Sequence, residues 1–402
     1  MTKKILATLS LVVTLSVVPF SGQTFAATKA DQLKEISTIN RTQDAEEQDV
    51  EEVVVKFKKG KKLSLMDLEE LDAEVIENES TGDDPVDADV TVLKVSDVES
   101  AVEKLNNNPN VDYAEPNFVF EATFTPNDTY FSGYQYGPQN TNTPAAWDIT
   151  QGSSSQEIAI IDSGVDYTHP DLDSKVIKGY DFVDNDNDPM DLNGHGTHVA
   201  GTAAAETNNG TGVAGMAPKT KILAVRALDA GGGGSLNDIA DAIRYAADAD
   251  AEVINLSLGC NCDTQTLEDA VNYAWNKGSV VVAAAGNDGV STTFEPASYD
   301  NVIAVGAVNS SNQKASFSNY GTWVDVTAPG NQIASTYPGG YVYLSGTSMA
   351  SPHVAGLAGL LAAQGRTKYD IRNAIEQTAD PISGTGYYFE HGMINSLKAV
   401  QY

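Results

Sequence analysis

Apolar positions fall into two textures along this chain, and the change comes near Phe124. Before it, Val53 to Phe57, Asp89 to Val95 and Val111 to Ala114 are short β-rich runs that predict strands. Helical spacing between them predicts helices at Leu65 to Leu71 and Asp97 to Leu105, and so a small α+β unit. The stretch Asn78 to Asp87, with Gly82, Asp83, Asp84 and Pro85, predicts a loop that interrupts this unit. Ahead of it, Thr28 to Glu52 is polar, has little to bury and reads as a linker.

Beyond Phe124, β-rich and helical segments alternate and glycines become frequent, the pattern of a parallel sheet flanked by helices. Strands are predicted at Glu157 to Asp162, Lys221 to Ala227, Val253 to Ser257, Ser279 to Ala285 and Val302 to Ala307. Their near-continuous Val, Ile and Ala content suits strands buried on both faces. Helices are predicted at Gly196 to Glu206, Ser235 to Asp248, Thr266 to Lys277, Met349 to Gln364 and Asp370 to Thr378, with Ser235 and Asp370 as N-caps. The expected fold is α/β, a three-layer sandwich around a mostly parallel central sheet, preceded by the small α+β domain.

The N-terminus changes the picture of destination. Met1 to Ala26 has two lysines, an apolar run from Ile5 to Phe20 and a small-residue site at Thr24-Phe25-Ala26, the layout of a secretory signal. A membrane anchor is the rival, but Thr8, Ser10, Thr14, Ser16 and Pro19 interrupt the run. Export makes a disulfide the default for the two cysteines, Cys260 and Cys262, over a zinc pair. A fully extended backbone would hold their Cα atoms about 6.6 Å apart, so a bridge requires a local bend. The net charge of -31 argues against nucleic acid and against stable association with anionic membranes, and makes cations the expected company.

Three glycine-flanked segments carry candidate chemistry: Asp162-Ser163-Gly164, His195-Gly196-Thr197-His198 and Gly346-Thr347-Ser348-Met349-Ala350-Ser351-Pro352. A serine hydroxyl is a poor nucleophile at neutral pH, and acyl transfer needs an imidazole to take its proton and a carboxylate to hold that imidazole. Asp162 ends a predicted strand, where an open parallel sheet places functional groups. His195 opens a predicted helix, and Ser348 precedes another, whose free N–H groups can hold an oxyanion. Pro352 suits that helix's first turn. Each residue alone has a structural explanation as a turn former or cap. Their order along the chain is acid, base, serine, which is the order of subtilisin-type triads.

Together these motifs resemble those of the subtilisin-like serine proteases, the subtilases, and neighbouring segments resemble the thermitase branch of thermophilic bacilli. The resemblance covers nearly the whole chain. It implies that Asp162 orients, His195 is general base and acid, and Ser348 is the nucleophile. It also implies that Asn287, after Ala283-Ala284-Ala285-Gly286, donates to the oxyanion. His198 lies on a neighbouring helical face to His195, which could suggest a metal pair, but no carboxylate–histidine partner motif accompanies them, so His198 is read as structural. Gly231 to Gly234, hence Gly232, Gly233 and Gly234, and Ser257-Leu258-Gly259 resemble the two cleft edges to which an extended peptide adds as a strand. The N-terminal unit resembles the family's inhibitory propeptide.

Acidic clusters point to calcium. Asp181, Asp184, Asp186, Asp188 and Asp191 crowd into a short stretch that invites a hard cation. An EF-hand is excluded, because Pro189 stands where its glycine belongs and His195 where its bidentate glutamate belongs. The segment resembles a thermitase calcium loop, with Met190 replacing a side-chain amide, so the ligand set is expected to shift toward Asp191. A second site, by resemblance to the family's strong calcium site, comprises Asp128, Asp171, Asn209 and the carbonyls of Glu206, Thr211 and Val213.

The expected protein is a secreted, calcium-stabilised, monomeric endopeptidase of broad specificity, cut from its own precursor. Its expected segments are 1–26 signal, 27–52 linker, 53–123 propeptide and 124–402 peptidase. A processing protease dedicated to one partner and a non-catalytic, calcium-stabilised extracellular binding module remain as alternatives.

Overall fold

The computed structural model describes residues 51–79, 90–118 and 124–402. The signal, nearly all of the linker, most of the predicted loop at 78–87 and the junction just before Phe124 lie outside the described residues. The chain divides into two compact units, Gln23–Ala122 and one that contains Thr123–Tyr402.

In the first unit, β1 (Glu52–Phe57), β2 (Glu74–Glu79), β3 (Val90–Lys94) and β4 (Val111–Pro116) form a sheet in the order β2-β3-β1-β4. All its pairings are antiparallel. Helices α1 (Leu65–Leu71) and α2 (Val98–Asn106) complete it. Val53 and Val55, alternating along the inner strand β1, bury against Leu93, Ala101 and Leu105. Asp97 caps α2 by accepting the Ser100 N–H at 3.0 Å. β2 is absent from the sequence expectation and takes the first residues of the predicted loop. Glu-Val-Ile-Glu-Asn-Glu is an edge strand held by backbone pairing, and its exposed Val75 and Ile76 give it no buried-face signal.

The second unit opens with three short helices, α3 (Phe131–Tyr134), α4 (Tyr136–Asn140) and α5 (Thr143–Ile149). Its sheet is built from β5 (Glu157–Asp162), β6 (Val176–Asp181), β7 (Lys221–Arg226), β8 (Val253–Leu256), β9 (Val280–Ala284), β10 (Val302–Val308) and β11 (Val326–Pro329). After a hairpin of β12 (Ile333–Tyr337) and β13 (Gly340–Leu344), β14 (Gly392–Met393) completes it. The eight strands lie in the order β14-β11-β10-β9-β8-β5-β7-β6, and every pairing is parallel. The remaining helices are α6 (His195–Ala204), α7 (Leu236–Asp248), α8 (Gln265–Lys277), α9 (Thr347–Ala362), α10 (Lys368–Gln377) and α11 (Ser396–Gln401).

Alternation along β5 assigns the layers. Ile158 and Ile160 pack with Val199 and Ala203 of α6 and Val354 and Leu357 of α9, while Ala159 and Ile161 pack with Ile243 of α7 and Val271 of α8. This is the expected three-layer sandwich. From β5 the chain runs out to β6, returns to β7 and then crosses to β8 on the other side of β5. That reversal opens a crevice at the carboxyl ends of β5 and β8, where open α/β sheets bind ligands.

Two expectations at helix starts need correction. The N-cap of α10 is Thr367, whose side chain accepts the Asp370 N–H, while Asp370 bonds back as the third helical residue of a capping box. Helix α9 starts at Thr347, so Pro352 sits in its second turn and not its first. The missing proline N–H therefore deprives the Ser348 carbonyl of its helical donor. Sequence reading also missed β6, whose Val-Ile-Lys-Gly-Tyr-Asp mixes polar residues and slips register near Asp181, and the short strands β11, β12 and β14.

Candidate active site

Asp162 ends β5 fully buried, and its Oδ1 accepts the Ser163 N–H at 2.7 Å and His195 Nδ1 at 2.8 Å. With Nδ1 as donor, His195 Nε2 is left as the proton acceptor. The motif's glycines let the two segments meet. A β-carbon on Gly196 would lie 2.1 Å from the Gly164 carbonyl, and one on Gly194, where φ is +100°, would strike the Tyr337 ring.

Asp191 ties these segments together. It is buried, and its Oδ1 accepts Ser163 Oγ–H at 2.9 Å, Asn193 N–H at 2.9 Å and Gly194 N–H at 2.8 Å. Its Oδ2 accepts Thr197 N–H at 2.9 Å and Thr197 Oγ1–H at 2.6 Å. Five donors leave this carboxylate nothing to offer a cation, which corrects its assignment as a calcium ligand. It bridges the neighbour of Asp162 to the residues on both sides of His195. Burial alone would push the His195 imidazole down, but the Asp162 charge and hydrogen bond, helped by the Asp191 charge, leave it raised above its ordinary value. His198 behaves as expected of a structural residue: its Nε2 meets the Ile333 carbonyl at 2.9 Å, and burial pushes it down to about 3.

Ser348 is the second residue of α9 and the one residue of that helix that is not buried. Its hydroxyl donates to the Ser257 carbonyl at 3.1 Å, and Ser257 Oγ donates back to the Ser348 carbonyl at 2.8 Å. Asn287, directly beyond β9, has its Oδ1 held by Thr347 N–H at 2.8 Å and Thr347 Oγ1–H at 3.0 Å, which turns Nδ2 away from Thr347. A β-carbon on Gly346 would lie 3.5 Å from Asn287 Nδ2 and 3.7 Å from Ser348 N. Both donors therefore border one small space that the glycine keeps open.

The two expected rim segments flank this centre. Gly232, Gly233 and Gly234 form a loop closed on Asp229, which accepts Gly231 and Gly233 N–H, and the adjoining Ala230 carbonyl receives Asn193 Nδ2 on the His195 side. Ser257, Leu258 and Gly259 follow β8 on the Ser348 side, and a side chain at Gly259 would strike Phe294. Cys260 pairs backbone with Glu295, and its Cα lies 5.2 Å from that of Cys262, within bridging range because the backbone bends there.

The two acidic clusters differ. Arg226 NH1 bonds Asp181 Oδ2 and Asp184 Oδ2, both at 2.6 Å, so a protein cation already serves part of the first cluster. Asp188 meets Tyr167 and Lys178. In the second, Asp128 and Asp171 are buried without a salt bridge among the described residues. Asp171 accepts Asn209 Nδ2 at 2.8 Å and Val213 N–H at 2.9 Å. Asp128 Oδ2 accepts Asn208 N–H at 2.6 Å, while its Oδ1 is buried with no partner. Two buried carboxylates with no cationic partner among the described residues, one of them with an unpaired oxygen, beside the carbonyl-bearing loop at 206–213, form a hard oxygen donor set that fits calcium.

The model of the subtilase family matches residues 153–394. The chain is a subtilase. Residues 40–117 of this subtilase match the fervidolysin N-terminal prodomain. It is 64% identical over 402 residues to the thermophilic serine proteinase of Bacillus sp. strain AK1, covering 99% of each chain. It is 60% identical to thermitase of Thermoactinomyces vulgaris over 69% of this chain and all of that one. Among solved structures, a protease of Pseudoalteromonas arctica aligns with TM-score 0.64 and 33% identity, over 69% of this chain and 99% of its own. The subtilase is therefore a serine endopeptidase with an N-terminal prodomain.

Proposed function

We propose that Ser348, His195 and Asp162 form the acyl-transfer triad, with Asn287 Nδ2 and the Ser348 N–H as oxyanion donors. The observation that carries this is the convergence of those two donors beside Gly346, in a unit where Asp162 already orients His195. As Ser348 Oγ attacks the peptide carbonyl carbon, its proton passes to His195 Nε2, and the developing oxyanion enters the space beside Gly346. Collapse returns the proton to the leaving amine. Water, deprotonated by the same imidazole, then releases the acyl group and restores the serine. The hydroxyl must first leave the Ser257 carbonyl for His195.

The substrates are extended peptides of broad sequence that add to the rims at 231–234 and 257–259. The enzyme is secreted and monomeric, residues 53–123 act as an intramolecular inhibitor until removed, and a Cys260–Cys262 bridge braces the rim. Asp128, Asp171, Asn209 and the carbonyls of Glu206, Thr211 and Val213 hold calcium, and Asp181, Asp184, Asp186 and Asp188 hold a weaker one in competition with Arg226. Bound calcium supplies charge neutralisation to the fold and takes no part in the reaction. Ser348→Ala expressed in a protease-deficient host should stay uncut and resist a fluorophosphonate reagent. Appearance of mature chain by mass spectrometry would refute self-processing, and labelling of the variant would refute Ser348 as nucleophile.

A further inference from the structure

Strand β8 contains one residue that its surroundings do not explain. Asn255 is fully buried, and its partners across the sheet are Ile160 and Val282. An amide there costs stability unless its hydrogen bonds are made, and an aliphatic side chain would fill the same volume. The bonds it makes lead to the nucleophile. Ser351 Oγ, also fully buried, donates to Asn255 Oδ1 at 2.7 Å, and Asn255 Nδ2 donates to Ser257 Oγ at 3.0 Å. Ser257 Oγ in turn donates to the Ser348 carbonyl at 2.8 Å.

The direction of this chain is fixed at each link. Pro352 leaves the Ser348 carbonyl without its helical donor, so Ser257 must supply one. Having spent its proton, the Ser257 hydroxyl can only accept from Asn255, which sets the amide with Nδ2 toward Ser257 and Oδ1 toward Ser351. Ser348 and Ser351 are three residues apart and share one face of α9. Asn255 thus grips the helix at two points, directly at Ser351 and through Ser257 at Ser348.

We infer that Asn255, with Ser351, is a positioning residue that sets the rotation and axial placement of α9, and so the aim of Ser348 at His195 and at the space beside Gly346. This rests on Ser348 being the nucleophile. A misplacement of about 1 Å at a reacting atom can cost on the order of a hundredfold in rate, so a clamp of this kind bears on kcat.

The test uses the matured enzyme with Ser351→Ala and with Asn255→Leu/Ser351→Ala, which replaces the buried pair by apolar groups of similar shape. Expected are a kcat and a fluorophosphonate labelling rate each lowered about tenfold or more, at temperatures where circular dichroism shows the variant folded, with KM within about twofold of the parent. Ser257→Ala combined with Ser351→Ala should lower kcat by less than the product of the single effects, because both cut one chain. A purely structural role predicts the parent's kcat and labelling rate below the melting transition, and that result in Ser351→Ala overturns the inference even if the double variant fails to fold. Parent enzyme that does not label at Ser348 would instead refute the nucleophile on which the inference stands.

Discussion

Two buried aspartates, one beside the start of α6 and one against the loop at 206–213, show how differently a fold can accommodate a charge. Asp191 accepts five protein hydrogen bonds and holds the segments of Asp162 and His195 together. Asp128 is equally secluded, yet one of its oxygens has no partner. The first carboxylate is complete within the polypeptide. The second keeps an oxygen that no described residue satisfies, so under the proposed calcium reading only its region should respond to the solution's cations.

The sharpest way to break this contrast is Asp191→Ala. It strands several buried donors, and we expect a loss of roughly 3 kcal/mol, a Tm lowered by roughly 10 °C and a kcat/KM lowered at least tenfold, whether or not calcium is present. Differential scanning calorimetry and peptide hydrolysis with and without chelator would check it. The next effect is calcium's own. Chelation should lower the parent's Tm by roughly 5 to 10 °C, whereas Asp128→Asn should melt near the chelated parent in either buffer and keep the parent's kcat when folded.

The smallest effect is on proton affinity. In the proposed mechanism His195 works as the neutral base, and its raised affinity means that protonation silences it below a pH higher than an ordinary imidazole would give. Activity should therefore rise with pH through that value. Asp191→Asn removes one contribution to the raise, so the acid limb of its kcat/KM profile should move to lower pH. A limb that does not move would show that Asp191 acts through geometry alone.

Most of the site's composition was legible in the sequence, because motif residues adjoin elements with strong apolar signals. The strand Glu157–Asp162 was predicted to its last residue, and that placed Asp162 at the sheet edge. What was not legible depends on partners remote in sequence. Asp191 looked like its acidic neighbours, and only the folding of Ser163 and Thr197 around it separates an anchor from a cation ligand. The Asp-Leu-Asn-Gly run just before His195 was the available signal, since aspartate before such a turn often accepts the N–H groups that follow. Asn255 was hidden for a similar reason: within a strand read as mostly apolar, a lone amide shows nothing until Ser257 and Ser351 come beside it. Arg226 on Asp181 and Asp184 required the register of β6 against β7, strands that α6 separates in sequence.

The burial of α9 bears on how this enzyme ends its working life. All of its residues except Ser348 are enclosed, so the proposed nucleophile is mounted on a buried rod that does not fray while the rest persists. Activity on heating should consequently hold level and then vanish in step with global unfolding. Because an unfolded copy is itself an extended peptide, each molecule that melts becomes food for those that have not, and wherever cleavage outpaces reclosing the population's half-life follows the rate of opening.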